Sequence, residues 1–302
     1  MTDPLQALAT LIDRLSRSAD LDDVLTNSLD ALAGVFGFEH SLLMLLDETG
    51  GFLYTIASRG YERAGVGSEV RVGEGVAGQV AATGRPLRVN NLQRMLVYAR
   101  RARGSADVTE IPLPGLPEAN SQLAVPAMVR GQLVGVLVVE SARLGAFTEQ
   151  DELRLAVVAH LVAAAIRLDA LESGAGADAA PAPSVEPTRS SGPGGTVRFY
   201  AAVGSTFIDD DYLIKGVPGR ILWRLLRDYL QHGRTDFTNR EVRLDPALEL
   251  PAFRDNLESR LILLKRRLDE RQAPMRIVKT GRGRFRLEVE GNLRIDEPNV
   301  DS

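Results

Sequence analysis

A chain of 302 residues, 44% hydrophobic and 25% charged, has the material for two cored domains and is neither collagen-like nor a low-hydrophobicity disordered polymer. It contains no cysteine, which excludes disulfides, thiolate metal ligands, thiol nucleophiles and thioether-linked chromophores. The net charge of −4 conceals an asymmetry: residues 1–195 carry 16 basic and 23 acidic side chains, net −7, whereas residues 196–290 carry 19 and 14, net +5, so the two halves suit different partners.

The opening "MTDPLQALATLIDRL" has no basic n-region or cleavage site, so no signal peptide is expected. Leu5, Leu8, Leu11, Ile12 and Leu15 share one helical face, and "DLDDVLTNSLDALAGVFG" predicts a second helix ending near Gly37. Strands follow in "EHSLLMLLD", "FLYTIASRG" and "EVRVG", the first two separated by the turn "ETGG". Next comes "RVGEGVAGQVAATGRP", where Gly73, Gly75 and Gly78 take the G-x-G-x-x-G spacing of a dinucleotide turn. That fold needs a full crossover helix and an acidic residue about 20 positions on for the ribose hydroxyls. Here Gly84-Arg85-Pro86 stops the helix after about Ala82, and Gly75 through Ala106 contains no Asp or Glu, so both requirements fail. The glycines are expected to let a strand enter a short helix at close backbone approach.

Beyond "RPLRVNN", a polar-basic segment and the Pro-rich "EIPLPGLPEAN", two apolar strands, "SQLAVPAMVR" and "QLVGVLVVES", flank an Arg130-Gly131 turn. "TEQDELRLAVVAHLVAAAIRLDALES" predicts a long closing helix with Thr148 as N-cap and Asp151 completing a loose capping box. Its longest apolar run, "LAVVAHLVAAAI", is twelve residues, short of the roughly 18–20 that span a bilayer, so no membrane segment and a cytoplasmic location are expected. That helix is apolar on all sides between Leu155 and Ile166, which points either to a partner helix or to deep burial within its own domain.

"GEGVAGQVAATGRPLRVNN", "SQLAVPAMVRGQLVGVLVVES" and "FTEQDELRLAVVAHLVAAAIRL" resemble, in order, the successive signatures of a GAF domain covering about residues 5–170. The resemblance implies an α+β sensory fold: a six-stranded antiparallel sheet with helices on one side, a small-molecule pocket under loops on the other, and homodimerisation through the terminal helices. It also excludes. Residues 1–195 contain no lysine, unlike the Asn-Lys-…-Phe-…-Asp-Glu signature of cyclic-nucleotide GAF domains. Bilin-attaching and methionine-sulfoxide-reducing members depend on cysteine, so a non-catalytic domain without an evident cofactor is expected, its ligand an unidentified small molecule. By family position, segment 90–122 closes the pocket and offers Asn90, Asn91, Tyr98, Arg100, Arg101, Arg103 and Ser121 as ligand-binding candidates. "ARRAR" could clamp a carboxylate or phosphate, or be a solvated basic turn.

"ESGAGADAAPAPSVEPTRSSGPGG", residues 172–195, is Ala/Pro/Gly/Ser-rich and reads as a flexible linker after a sensory domain at 1–171. Residues 196–290 then open with strands "TVRFYAA", "STFID" and "DYLIKG". "PGRILWRLLRDYLQHG" predicts a helix with Pro218 in its first turn and Gly233 at its stop, and "TNREVRL" a short one capped by Thr238 with Glu241 three on. In "RDNLESRLILLKRRLDERQ", Leu257, Leu261, Leu264 and Leu268 form one seam, and "MRIVKTGRGRFRLEVE" predicts a hairpin with a basic tip. The tail, residues 291–302, is expected to be loose.

Strands, three helices and a basic hairpin in this order resemble the winged helix-turn-helix DNA-binding domain of OmpR-type response regulators, most closely in "TNREVRL", "NLESRLILLKRRL" and "IVKTGRGRFRLEV". The resemblance implies duplex DNA as partner, contacted by Arg260, Lys265, Arg266, Arg267 and Arg271 of the recognition segment and by Lys279, Arg282 and Arg284 of the wing. Guanidinium groups read guanine acceptors in the major groove, and a basic hairpin neutralises phosphates. Two departures stand: the first helix opens "GVPGRI" instead of the usual Thr-x-x-Glu, and acidic Asp255 and Glu258 sit at the recognition segment's start. The alternatives are a winged helix that binds protein and a solvated basic surface. His40, His160 and His232 share no motif, and no metal-ligand spacing, P-loop or nucleophile elbow occurs. The expectation is a non-enzymatic one-component transcription regulator in which a small-molecule effector controls DNA binding; the alternative is a GAF signalling scaffold that docks on a protein.

Overall fold

The computed structural model describes residues 4–92, 111–175, 195–201, 204–248, 250 and 257–298. The chain divides into two compact units, Met1–Leu168 and Asp169–Ser302.

The first unit opens with α1 (Pro4–Ser16) and α2 (Leu21–Phe36). Asp20 caps α2 by accepting from Asp23 N at 3.0 Å, and Gly37 closes it in the left-handed conformation. Strands β1 (His40–Leu46), β2 (Phe52–Arg59) and β3 (Glu69–Arg71) follow, then α3 (Gly75–Thr83), β4 (Leu87–Val89), β5 (Ser121–Val129) and β6 (Gln132–Ser141). They form one six-stranded antiparallel sheet of order β3-β2-β1-β6-β5-β4. The register places Leu42 opposite Val138 and Met44 opposite Val136, so these side chains share a face with Ala124. That face carries α3, whose Val76, Ala77 and Val80 pack on it with Leu92 and Ala119. The alternate residues Leu43, Leu45, Leu123, Val125, Leu137 and Val139 are buried on the opposite face. Burial of both faces explains why these strands read as nearly continuous apolar runs rather than as alternating ones.

The three glycines separate by role. Gly73 and Gly75 take positive φ, 93° and 61°, and turn the chain from β3 into α3. At Gly78 an added Cβ would lie 2.4 Å from the Arg71 carbonyl oxygen, so only glycine admits this packing of helix on strand. The helix stops at Gly84, as its sequence predicts.

The closing helix α4 (Glu149–Ala175) begins with a formed capping box: Asp151 N donates to Thr148 Oγ1 at 3.2 Å and Thr148 N to Asp151 Oδ2 at 2.9 Å. It runs past the expected start of the linker at residue 172; residues 176–194 of that linker lie outside the described residues. One face of α4 buries Leu155, Val158, Ala159, Val162, Ala163 and Ile166. The other exposes Leu153, Val157, His160, Ala164, Leu168 and Leu171, spaced by three and four residues along one side.

The second unit contains β7 (Thr196–Tyr200), β8 (Ser205–Ile208) and β9 (Asp211–Lys215), then α5 (Val217–His232), β10 (Asp236–Thr238), α6 (Asn239–Leu244), α7 (Leu257–Glu270), β11 (Met275–Gly281), β12 (Arg284–Val289) and β13 (Arg294–Asp296). Two sheets result, β13-β7-β8-β9 and β10-β12-β11. The expected leucine seam of α7 is buried, and Phe237 of β10 stacks on Phe285 of β12 at 5.8 Å. The loose tail expected from residue 291 is corrected: β13 pairs in parallel with β7, with Ile295 beside Val197. Leu293 is 4% exposed, and this apolar anchor is what holds the strand in place.

Candidate functional site

Two surfaces answer to the residues singled out in the sequence. The first is the α3-bearing face of the β1–β6 sheet. Its walls are apolar, but at the end where β1, β5 and β6 meet, the two-residue alternation brings polar groups onto the same face as Leu42, Val138 and Ala124. Glu140, 7% exposed, follows Val138 on β6 and stands opposite His40 and Gln122. Gln122 Nε2 donates to Glu140 Oε1 at 2.8 Å and Leu116 N to Oε2 at 2.9 Å. Tyr61, from the turn after β2, meets the His40 ring edge-on at 5.6 Å. Burial holds the Glu140 carboxyl above its ordinary value, opposed by the Leu116 N–H, the Tyr61 hydroxyl, the Gln122 amide and His40. Burial, and then the Glu140 charge, push the Tyr61 hydroxyl above its own ordinary value.

Over this corner passes the segment from Ile111 to Asn120. It rests on the β2–β3 turn, where a Cβ on Gly65 would fall 2.5 Å from Pro114 Cδ and 2.8 Å from the Pro112 oxygen. The Asn120 amide donates to the Ser141 carbonyl at 2.9 Å, so Glu140 and its neighbour on β6 together fasten this strap.

The sequence-derived ligand candidates divide. Tyr98, Arg100, Arg101 and Arg103 lie outside the described residues. Asn90 and Asn91 are exposed beyond the end of β4. Ser121 is corrected: fully buried, it donates to the Arg143 carbonyl at 2.7 Å and accepts from Ala146 N at 3.2 Å, pinning the loop before α4 instead of facing a ligand. Glu140 and Tyr61 were not picked out from sequence. The available signal was one carboxylate in phase with Val136 and Val138 on an otherwise apolar strand.

The second surface is the cationic part of the second unit. Arg267, expected to face DNA, is 6% exposed; its Nε donates to the Leu213 carbonyl at 2.8 Å and its other nitrogens reach Tyr212 O and Glu270. Its guanidinium satisfies the Tyr212 and Leu213 carbonyls of β9, so that expectation is corrected. Arg260, 5% exposed, is turned inward as well and leaves the contact set for the same reason of burial. Arg271 pairs with Asp211 at 2.6 Å and Lys279 with Glu258 at 3.1 Å. Glu258 also accepts from Asn239 Nδ2 at 2.9 Å, so the acidic residue that would repel phosphate instead ties α6, α7 and the hairpin together. Asp255 lies outside the described residues. Lys265, Arg266 and Arg284 are half-exposed, and Arg282 at the hairpin turn is 76% exposed while pairing with Glu172 at 2.6 Å.

Other arginines of this unit are structural. Arg224 of α5 bridges Asp228 and, at 2.6 Å, Asp245, and Arg234 meets Glu241 at 2.5 Å while its guanidinium covers the Phe237 ring at 4.8 Å. Glu241 therefore serves Arg234, while Glu241 N still donates to the Thr238 cap at 3.3 Å. Two exposed arginines not picked out from sequence, Arg227 on α5 and Arg240 in the first turn of α6, add to the outward positive charge. Among the described residues no group of His, Asp or Glu has metal-binding geometry, and no helix is long and apolar enough to cross a membrane.

Comparison with known proteins gives the first unit a family. Residues 18–167 match the GAF domain family. The Nif-specific regulatory proteins of Azospirillum lipoferum and Azospirillum brasilense are each 30% identical over 159 residues, 51% of this chain and 24% of theirs. The chain thus spans about a quarter of the length of these curated relatives. Among solved structures, the GAF domain of an Acinetobacter phosphoenolpyruvate-protein phosphotransferase is similar, with 25% identity, a TM-score of 0.46, and coverage of 56% of this chain and 95% of that one. The free methionine-R-sulfoxide reductase of Neisseria meningitidis, in complex with its substrate, matches at 21% identity and a TM-score of 0.43, covering 54% of this chain and 90% of that one.

Proposed function

Because residues 18–167 are a GAF sensory domain, we propose that the chain is a one-component transcription regulator: a small molecule held on the α3 face of the first sheet alters how the second unit engages duplex DNA. The observation that carries this is the joining of a sensory domain to a unit with the element order of a winged helix, three helices followed by a hairpin whose turn exposes Arg282. The similarity to Nif-specific regulatory proteins supports the regulatory half of the reading.

Lys265, Arg266, Arg282 and Arg284 are the groups we assign to DNA, with Arg282 entering or lining a groove and the others neutralising phosphates. The outward stripe of α4, Leu153, Val157, Ala164, Leu168 and Leu171, fits a second copy of the same helix, since its three-and-four spacing is that of a helix–helix seam. A dimer presents two reading units to paired half-sites, and an effector regulates by preferring one of two dimer states. The sensory domain is read as non-catalytic and the protein as cytoplasmic. Native mass spectrometry of freshly purified protein tests the sensing half by reporting a retained small molecule and the subunit count together. A gel-shift titration tests the other half: Arg282→Ala/Arg284→Ala weakens binding of duplex DNA at least tenfold, and wild-type indifference to any duplex removes the reading.

One observation favours the alternative, a signalling scaffold whose second unit docks on a protein. Lys279 and Arg271 are already engaged by Glu258 and Asp211, which lowers the charge available to phosphate. Retained binding of a protein partner by the Arg282→Ala/Arg284→Ala variant, with no DNA binding by wild type, would select it.

A further inference from the structure

Arg282 stands at the turn of the β11–β12 hairpin, exposed as a residue that enters or lines a groove should be, yet its Nη2 donates to Glu172 Oε2 at 2.6 Å. The two residues are 110 apart in sequence, and both belong to the second compact unit, Asp169–Ser302, which takes in the last residues of α4. Local chemistry does not favour an acid at this point. Glu172 lies in the last turn of α4, where the helix macrodipole is already negative and a basic residue is the favourable choice; that turn has none. Arg282 supplies from a distance the positive charge that the turn lacks. The end of α4 thus offers the hairpin what a DNA phosphate offers, an exposed anion that accepts guanidinium hydrogen bonds. The neighbouring pair is of another kind. Glu258, which takes Lys279 at 3.1 Å, is 13% exposed and also accepts from Asn239, so it is built into the fold. Glu172 is 51% exposed, and its pair with Arg282 is open to exchange with solvent ions and with phosphate.

Resting on the DNA-binding reading of the second unit, we infer that Glu172 is an autoinhibitory latch: it occupies Arg282 in the unbound protein and must be displaced before the hairpin engages a duplex. Phosphate and Glu172 compete for one guanidinium, so the latch lowers affinity without changing which groups meet DNA. Exposed ion pairs shift an equilibrium by less than about fivefold, so this one tunes binding and does not block it, and added salt weakens it. Glu172 shares one continuous helix with the buried Leu155–Ile166 face of α4, so whatever displaces that helix displaces the latch.

The test is a double-mutant cycle in the full chain, read by fluorescence anisotropy with a labelled mixed-sequence duplex of about 40 base pairs, long enough for two half-sites one helical turn apart. Glu172→Gln should tighten binding about threefold at low ionic strength, and the gain should shrink as salt is added. In an Arg282→Ala background, where Lys265, Arg266 and Arg284 still meet the duplex, the same substitution should change affinity by less than about 1.5-fold. An equal gain in both backgrounds means that the carboxylate merely repels DNA, and it overturns the inference. So does wild-type binding that Glu172→Gln leaves unchanged or weakens; the DNA-binding reading survives either result. Binding by neither wild type nor Glu172→Gln overturns that reading and the latch together. If the Arg282→Ala background binds too weakly to titrate, the Arg282 side-chain resonances of isotope-labelled protein decide without DNA: they move in Glu172→Gln, and unchanged resonances overturn the latch.

Discussion

Gly78→Ala sets two well-measured effects against each other. In a helix interior alanine is favoured over glycine by about 1 kcal/mol, so propensity alone predicts stabilisation. At this position, however, the new Cβ falls 2.4 Å from the Arg71 oxygen and 3.2 Å from Gly73 N, backbone atoms that cannot rotate away. Real Cβ atoms essentially never approach within 3.0 Å, so α3 and the end of β3 must separate by at least about 0.6 Å in a close-packed region. The shift pulls Val76, Ala77 and Val80 off the sheet face that forms the candidate site. Overpacking of this kind costs about 1–3 kcal/mol, and the backbone clash puts it at the upper end, for a net loss of about 2 kcal/mol. Gly34→Ala is the matched control: it lies in α2, and its Cβ would meet only the mobile tip of Arg14 at 3.4 Å. Urea denaturation followed by circular dichroism should show Gly34→Ala stabilised by about 0.5–1 kcal/mol and Gly78→Ala destabilised. Equal signs for the two would refute the close-approach explanation of the third glycine.

Leu168→Asp/Leu171→Asp, at positions 57% and 71% exposed in the single chain, should leave stability nearly unchanged but shift sedimentation from dimer to monomer; a variant that sediments like wild type removes the α4 seam. Arg267→Met should destabilise the second unit by about 2–4 kcal/mol, because the Leu213 and Tyr212 carbonyls and Glu270 lose their donor, whereas Arg282→Ala should change stability by less than about 0.5 kcal/mol. For Glu140 the folded chain binds a proton more readily than the unfolded chain, since burial raises its carboxyl. Stability therefore falls as pH rises from the ordinary carboxylate value through the raised folded value. Glu140→Gln should abolish that fall in pH-dependent urea midpoints, and a parallel profile would contradict the assignment.

Local chemistry was the most legible part of the chain. The Thr148–Asp151 box, the stops at Gly37, Gly84 and Gly233, and the leucine seam of α7 depend on neighbours within a turn or two, and they are found as their sequences imply. What sequence did not reveal depends on distant partners. Arg267 lies next to Leu264 and Leu268, and only β9, more than 50 residues earlier, decides that its guanidinium turns inward to carbonyls. Residues 294–296 lack a long apolar run, and their strand exists because β7 offers an edge. Ser121 is polar near the expected pocket mouth, but the loop from Arg143 to Ala146 takes both its hydrogen-bonding roles. Glu140 was hidden for the opposite reason: a single carboxylate at a strand end reads as solvated until Leu116 is seen above it.

The account stands most directly on whether the second unit reads duplex DNA. Fluorescence anisotropy of a labelled duplex titrated with the full chain across a range of salt concentrations measures this. The account predicts saturable binding whose logarithmic affinity falls linearly with log salt, with a shallower slope in Arg282→Ala/Arg284→Ala because fewer counterions are released. An absence of binding at low ionic strength, or an affinity indifferent to salt and to those arginines, would contradict it.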